Sequence, residues 1–265
     1  MSPFDLTGRV AVVTGALGKL GPVFCEALLR AGARVVGLDR EGAPPSPAFD
    51  ALARDEKDRV QLYAADVRDR VSLERARERI VAQHGAPSVL VNNAGIDSPP
   101  GSGGGARIED VPPDVFLGIL EVNVVGAFQV TQVFGPAMVA AGRGSVINIG
   151  SLYASVSPDA RFYDHLSPPF LKPPAYGASK AALVNLTRYL ATHWGPQGVR
   201  VNALSPGGVL GGQDALFRSK FTGRVPLGRM AVASDLGGPL VFLASDASAY
   251  VTGIELRVDG GFTAW

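Results

Sequence analysis

Short apolar runs alternate with amphipathic stretches along the whole chain. Arg9 to Thr14 reads RVAVVT and ends on glycine, with no polar alternation, as a strand buried on both faces of a parallel sheet should. Pro22 to Ala31 follows with helical apolar spacing and stops at Gly32; Arg34 to Asp39 reads as the next strand. The rhythm repeats, with strands over 60–64, 88–92, 145–149, 199–204 and 254–258, and helices near 71–84, 115–141, 176–194 and 234–244. Seven strands alternating with helices predict an α/β, three-layer, doubly wound architecture around a seven-stranded parallel sheet. A length of 265 residues agrees with one domain over 1–265, since single cores stop growing at about 250–300 residues.

Three segments break the rhythm. Ser98 to Gly105 (SPPGSGGG) reads as a mobile proline- and glycine-rich loop. Tyr153 to Pro174 holds Pro158, Pro168, Pro169, Pro173 and Pro174, so no regular helix fits it. Gly207 to Arg229 reads as a glycine-rich loop with apolar and basic side chains. The last two follow strand ends, where open α/β sheets place ligands, so stretches near 152–174 and 207–229 are expected to form substrate loops.

Composition narrows the partners. With 25 basic and 24 acidic residues, a net charge of +1 and no basic stripe, nucleic acid and an anionic membrane are poor partners, which leaves a small-molecule substrate. No apolar run approaching 18 residues stands out, so no membrane span is expected. The start, MSPFDL, lacks the basic and apolar regions of a signal peptide. The single Cys25 allows no internal disulfide and reads as a buried helix position, and a cytoplasmic protein is expected. His84, His165 and His193 have no metal-ligand spacing, so no metal is expected.

The first strand runs into Thr14-Gly15-Ala16-Leu17-Gly18-Lys19-Leu20-Gly21 and then a helix. Glycines at such a turn let the backbone approach a pyrophosphate, which sits at the positive end of the helix dipole. A glycine triplet alone says little. With Asp39 closing the second strand, 18 positions past Gly21, it becomes the fingerprint of a Rossmann dinucleotide site. Asp39 can accept bonds from ribose hydroxyls and repels a 2′-phosphate, which favours NAD over NADP; Lys19 and Arg40 pull toward a phosphate. Gly15, Gly18, Lys19, Leu20, Gly21, Asp39 and Arg40 are the candidate contacts at this end. Asp66 is placed to meet the adenine, with Val67 beside it, and Asn93, Ala94 and Gly95 would let the chain pass close under the cofactor.

These residues belong to an ordered set covering nearly the whole chain: TGALGKLG at 14–21, Asp39, Asp66-Val67, NNAG at 92–95, Asn123, Ser151, YGASK at 176–180, SPGG at 205–208 and VDGG at 258–261. The set resembles the short-chain dehydrogenase/reductase family. That resemblance implies an oxidoreductase that moves hydride between nicotinamide and a secondary alcohol or ketone. It implies Asn123, Ser151, Tyr176 and Lys180 as the catalytic tetrad, Tyr176 and Lys180 also meeting the cofactor, and Pro206, Gly207 and Val209 beside the nicotinamide. The chemistry is coherent with those roles. A phenol titrates near 10, too high for a good base at neutral pH, and Lys180 at i+4 on the same helix face brings a cation that favours tyrosinate. Ser151 can hold the substrate oxygen near Tyr176. Asn123 would support a water connecting to the lysine. The tail 258–262 resembles those that build the family's tetramers, so a homotetramer is expected, with a homodimer as the alternative.

Three departures individualise the chain. Lys19 stands where the family has its second glycine. Gly208-Val209 replaces a threonine that meets the nicotinamide carboxamide, so that contact would come from backbone amides. Ser151 and Tyr176 lie 25 positions apart, about twice the family's usual spacing. The added segment carries Arg161, Tyr163, Asp164, His165 and Lys172. Tyr153, Arg161, His165, Lys172 and Gly208 are therefore the candidate substrate contacts, a mixture suited to a hydroxyl-rich or anionic molecule. The segment also resembles bacterial flagellin-modification and nonulosonic-acid-pathway oxidoreductases, and the chain resembles gluconate-type dehydrogenases. The expected function is NAD(H)-dependent hydride transfer on a sugar, sugar acid or other polar hydroxylated substrate. Two alternatives stand beside it: an NADPH-dependent carbonyl or 3-oxoacyl reductase, and a non-catalytic nucleotide-sensing Rossmann protein.

Overall fold

A computed structural model of the chain describes residues 2–97, 107–167 and 170–265. The loop expected at 98–105 lies outside the described residues, as do Pro168 and Pro169.

Seven strands form one parallel sheet: β1 (Val10–Thr14), β2 (Arg34–Asp39), β3 (Val60–Ala64), β4 (Val89–Asn92), β5 (Gly144–Ile149), β6 (Val199–Pro206) and β7 (Glu255–Val258). Their order is β3-β2-β1-β4-β5-β6-β7. The chain winds outward from β1 and then restarts at β4, so the crevice of the doubly wound sheet opens at the carboxyl ends of these two neighbours. Every residue of β1 and of β5 is buried; β1 reads as a nearly unbroken apolar run, while β5 carries Ser145 and Asn148 among its apolar positions.

Helices cover both faces: α1 (Gly21–Arg30), α2 (Pro47–Asp55), α3 (Arg70–His84), α4 (Pro113–Leu120), α5 (Ala127–Ala140), α6 (Pro174–Trp194), α7 (Ala215–Thr222) and α8 (Gly237–Ala244). One core joins Phe24, Leu28, Phe49, Leu240 and Leu243 to one sheet face; the other joins Leu73, Ile80, Phe134, Met138 and Leu190 to the opposite face. Cys25 is fully buried in the first, and burial pushes its thiol up to about 12, which leaves it inert.

The structure adds α2 between β2 and β3, where no element is expected from the sequence, and α7 within a stretch expected to be a loop. Before α2, the Ser46 hydroxyl accepts a bond from the Phe49 amide, Pro47 opens the helix, and Phe49 is buried. Within 207–229, Asp214 caps α7 by accepting from the Phe217 amide, and Phe217 and Phe221 bury one i,i+4 face.

The helix predicted over 115–141 is one run, Pro113–Ala140, interrupted by a π turn at Glu121–Gly126. It spans 28 residues with a window of mean hydropathy 1.4, enough by length and composition alone to cross a bilayer, but Asp114, Glu121, Asn123, Gln129 and Gln132 interrupt it, so it is no continuous apolar run. Its inner face packs as a core helix does: α4 against α6, and α5 against α3, β4 and β5. Beneath the site a buried polar ladder crosses the sheet. The Asn92 amide donates to Thr131 Oγ1 (2.9 Å) and Asn148 Oδ1 (2.8 Å), and the Asn148 amide donates to Thr187 Oγ1 (2.9 Å).

Candidate active site

The carboxyl ends of the strands open onto a cavity of about 920 Å³. At one end it is lined by Gly15, Gly18, Lys19, Leu20, Asp39, Arg40, Asp66, Val67, Asn93, Ala94 and Gly95, and toward the middle by Pro206, Gly207 and Val209. Gly21 does not line it. A Cβ there would lie 2.4 Å from the carbonyl oxygens of both Gly15 and Ala16, so this glycine lets the turn close into α1. Gly15 has φ +63°, and a Cβ on it would lie 2.8 Å from Ala94 Cα. The floor between β1 and β4 therefore has no room for a side chain.

Asp39 is held by two backbone donors, the Leu17 amide on Oδ2 and the Arg40 amide on Oδ1, both at 2.9 Å. Lone pairs remain for ribose hydroxyls. Asp66 pairs with Arg68 (2.8 Å), whose hydrogen bond holds the carboxyl below its usual range; Arg68 also lines the cavity and was not singled out in the sequence. The α1 N-terminus has no side-chain cap, and Gly18, Lys19 and Leu20 line the cavity where it enters the helix. An uncapped helix start beside a side-chain-free floor and an anchored acid fits an adenine dinucleotide. Lys19 Nζ reaches across to donate to the Val209 carbonyl (3.2 Å), tying the glycine turn to the loop after β6.

Tyr176 and Lys180 sit near the start of α6, which Pro174 opens at its first turn. Lys180 is 5% exposed; its ammonium donates to the Ile149 carbonyl (2.7 Å) and lies 5.7 Å from the centre of the Tyr176 ring. Burial pulls Lys180 down to about 8, against the opposing charge of Asp97. Burial pushes the Tyr176 phenol up to about 12; a hydrogen bond with Ser151 pulls it down and Asp97 adds to the rise. The lysine is expected to favour tyrosinate; in the free protein burial is the largest influence and holds the phenol above its usual range.

Ser151 follows β5 and is 7% exposed, its Oγ accepting from the Tyr153 amide (3.2 Å). Asn123 lies in the π turn and is 1% exposed. Its Oδ1 accepts from the Ile96 amide (2.8 Å), while its Nδ2 donates to the Ile96 carbonyl (2.9 Å) and to Ser179 Oγ (3.0 Å). The buried amide thus fixes the chain just after NNAG.

Of the expected substrate contacts, Tyr153, Lys172 and Gly208 line the other end of the cavity. Arg161 and His165 do not. Arg161 turns outward onto Asp159 (2.7 Å), its side chain 82% exposed, and His165 Nε2 lies 3.0 Å from Asp214 Oδ1 behind the wall. The structure brings in Asp97, Tyr163, Leu166, Gln213, Asp214, Phe217, Phe221 and Met230 instead. Asp97 forms an ion pair with Lys172, whose Nζ lies 5.1 Å from the centre of the Tyr176 ring.

The added segment packs against α7. Phe162 meets Phe217 at 6.0 Å, Phe221 at 5.6 Å and Phe262 at 6.3 Å between ring centres, and Lys220 pairs with Asp164. Sequence signals for these residues existed: Asp97 lies two positions past NNAG, and Asp214 precedes a Phe–Phe pair at helical spacing.

A doubly wound sheet with an anchored acid ending β2 and Ser, Tyr and Lys gathered at the strand ends defines a dinucleotide-dependent oxidoreductase. A family profile described as enoyl-(acyl carrier protein) reductase matches residues 15–263. The chain is 36% identical over 272 residues to galactitol 2-dehydrogenase (L-tagatose-forming) of Cereibacter sphaeroides, covering 99% of this chain and 98% of that one. It superimposes on a gluconate 5-dehydrogenase from Burkholderia cenocepacia, solved with NADP and tartrate, with a TM-score of 0.85 at 31% identity, covering 99% and 98% of the two chains. It also superimposes on a short-chain dehydrogenase from Leptospira borgpetersenii with bound NAD+, with a TM-score of 0.84 at 32% identity, covering 98% and 95%. The chain belongs to the short-chain dehydrogenase/reductase family. It is an NAD(P)-dependent oxidoreductase acting on CH–OH groups.

Proposed function

We propose that this enzyme is an NAD-dependent dehydrogenase of a sugar alcohol, sugar acid or similar polyhydroxylated substrate, working as a cytoplasmic homotetramer. The observation that carries the reading is the gathering of Ser151, Tyr176 and Lys180 at the junction of the two halves of one cavity, with Asp39 anchored at its far end. The polyol and gluconate substrates in the names of its relatives support the substrate class. Related structures hold NADP or NAD+, so the preference for NAD rests on Asp39, and on Lys19 being engaged by Val209 rather than standing free for a 2′-phosphate.

Nicotinamide, when bound, would supply the hydride acceptor and, when oxidised, a positive charge. The Ser151 hydroxyl orients the substrate oxygen. Tyr176 Oη takes its proton as the alcohol becomes a ketone and returns it in the reverse direction. Lys180 adds its charge from beneath, and Asn123 holds Ile96, which lines the cavity.

The test is Tyr176→Phe against a panel of polyols and sugar acids. Removing a positioned acid–base group lowers kcat by roughly 10²–10⁴, and fluorescence titration is expected to show NADH binding largely retained. Clearly tighter binding of NADPH than NADH would overturn the cofactor assignment. Turnover by the phenylalanine variant at the wild-type rate would overturn the assignment of Tyr176.

A further inference from the structure

The substrate end of the cavity has an unusual charge balance. The cations that line the cavity are Lys19, Arg40, Arg68, Lys172 and Lys180. Arg40 and Arg68 lie at the adenosine end with Asp39 and Asp66, and Lys19 is bonded to the Val209 carbonyl. Lys180 is bonded to the Ile149 carbonyl beneath Tyr176. Among the described residues, Lys172 is the cation lining the substrate end, and Asp97 already neutralises it. A second carboxylate, Asp214, lines the same end.

The pair is held in place. Asn123 grips both the amide and the carbonyl of Ile96, so Asp97 leaves a fixed point in the chain. Lys172 is followed directly by Pro173 and Pro174, whose restricted φ angles set its approach to α6. The Asp97 side chain is 51% exposed toward the cavity and the Lys172 side chain 14%. The carboxylate keeps lone pairs and the ammonium keeps N–H groups beyond those used on each other.

We infer that this end of the cavity selects a neutral polyol over a sugar acid, with Asp97 and Lys172 together binding vicinal hydroxyls beside the carbon that is oxidised. A 1,2-diol offers an O–H donor for the carboxylate and an oxygen acceptor for the ammonium, so the pair is satisfied on both sides. A substrate carboxylate at this end would meet Asp97 and Asp214, with Lys172 already paired to Asp97 and His165 bonded to Asp214, and like charges brought together in a cleft carry a large penalty. The inference rests on the dehydrogenase reading above and narrows its substrate class.

The experiment compares matched alditol and aldonate pairs of four to six carbons, galactitol and galactonate among them, by kcat/KM in wild type and in Asp97→Asn. Wild type is expected to favour the alditol by about tenfold or more. Asp97→Asn leaves Lys172 unpaired, and the aldonate-to-alditol ratio is expected to rise by about tenfold. NADH titration of the variant verifies that its cofactor half is intact. A wild-type preference for aldonates, or a ratio unmoved by Asp97→Asn in a folded variant, would overturn the inference and leave the dehydrogenase reading standing. Turnover of simple secondary alcohols with every alditol and aldonate refused would overturn the polyol reading itself, and the inference with it.

Discussion

Burial disfavours the charged forms of both Tyr176 and Lys180. Burial lifts the phenol to about 12 and lowers the ammonium to about 8. For Lys180 the sign is that of a depressed group. The unfolded chain holds its proton up to about 10.5, and the fold begins to lose it at about 8. Stability therefore gains from this group as pH rises from about 8 to 10.5 and loses that gain as pH falls back. Lys180→Met should accordingly melt a few degrees above wild type at pH 7, with the advantage gone by about pH 10.5, while turnover collapses. Scanning calorimetry across that pH range checks it, and a variant less stable at pH 7 would show that the bond to Ile149 outweighs the buried charge. The expected stabilisation would mean that the site is built at the expense of the fold, as a group kept for chemistry often is.

At the scale of elements, the unusual feature is the partnership between the added segment and α7. Phe162 inserts among Phe217, Phe221 and Phe262, so both walls of the substrate end share one aromatic cluster. Phe162→Ala should raise KM for the substrate by roughly tenfold, because truncating a buried Phe removes about 3–5 kcal/mol that the loop can partly relax. NADH affinity should stay nearly constant. Equal losses in both would mean the cluster supports the whole cavity rather than its substrate wall.

The strands and the cofactor turn were legible because each carries its own local pattern: β1 is apolar throughout, and Gly15 and Gly21 stand where no Cβ fits. The α7 helix was hidden because its apolar face is only two phenylalanines long, framed by glycines that read as a loop. Arg161 and His165 looked like substrate ligands by residue type, yet Asp159 and Asp214 hold them off the cavity wall. Asp97, two positions past Gly95, reads in the sequence as a solvated turn residue; only folding brings Lys172, 75 positions on, against it.

On the scale of the whole molecule, apolar side chains are left outward on the sheet's flanking helices and at its β7 end. Leu117, Val125 and Phe128 are exposed along the α4–α5 run, and Tyr250, Ile254 and Trp265 around β7. Two such patches support the proposed tetramer, since closed assemblies with two kinds of two-fold contact need two self-complementary faces. Light scattering is expected to give the mass of four chains; a monomer would refute it. The central claim concerns hydride transfer itself, and isotope tracing reaches it most directly. A polyol carrying deuterium on the oxidised carbinol carbon, incubated with the enzyme and NAD+, is expected to yield NADH with one deuterium by mass spectrometry, and to do so roughly 10²–10⁴ times more slowly with Tyr176→Phe. Bound nucleotide with no deuterium transferred from any alcohol of the panel would contradict the account and leave a protein that only senses the nucleotide.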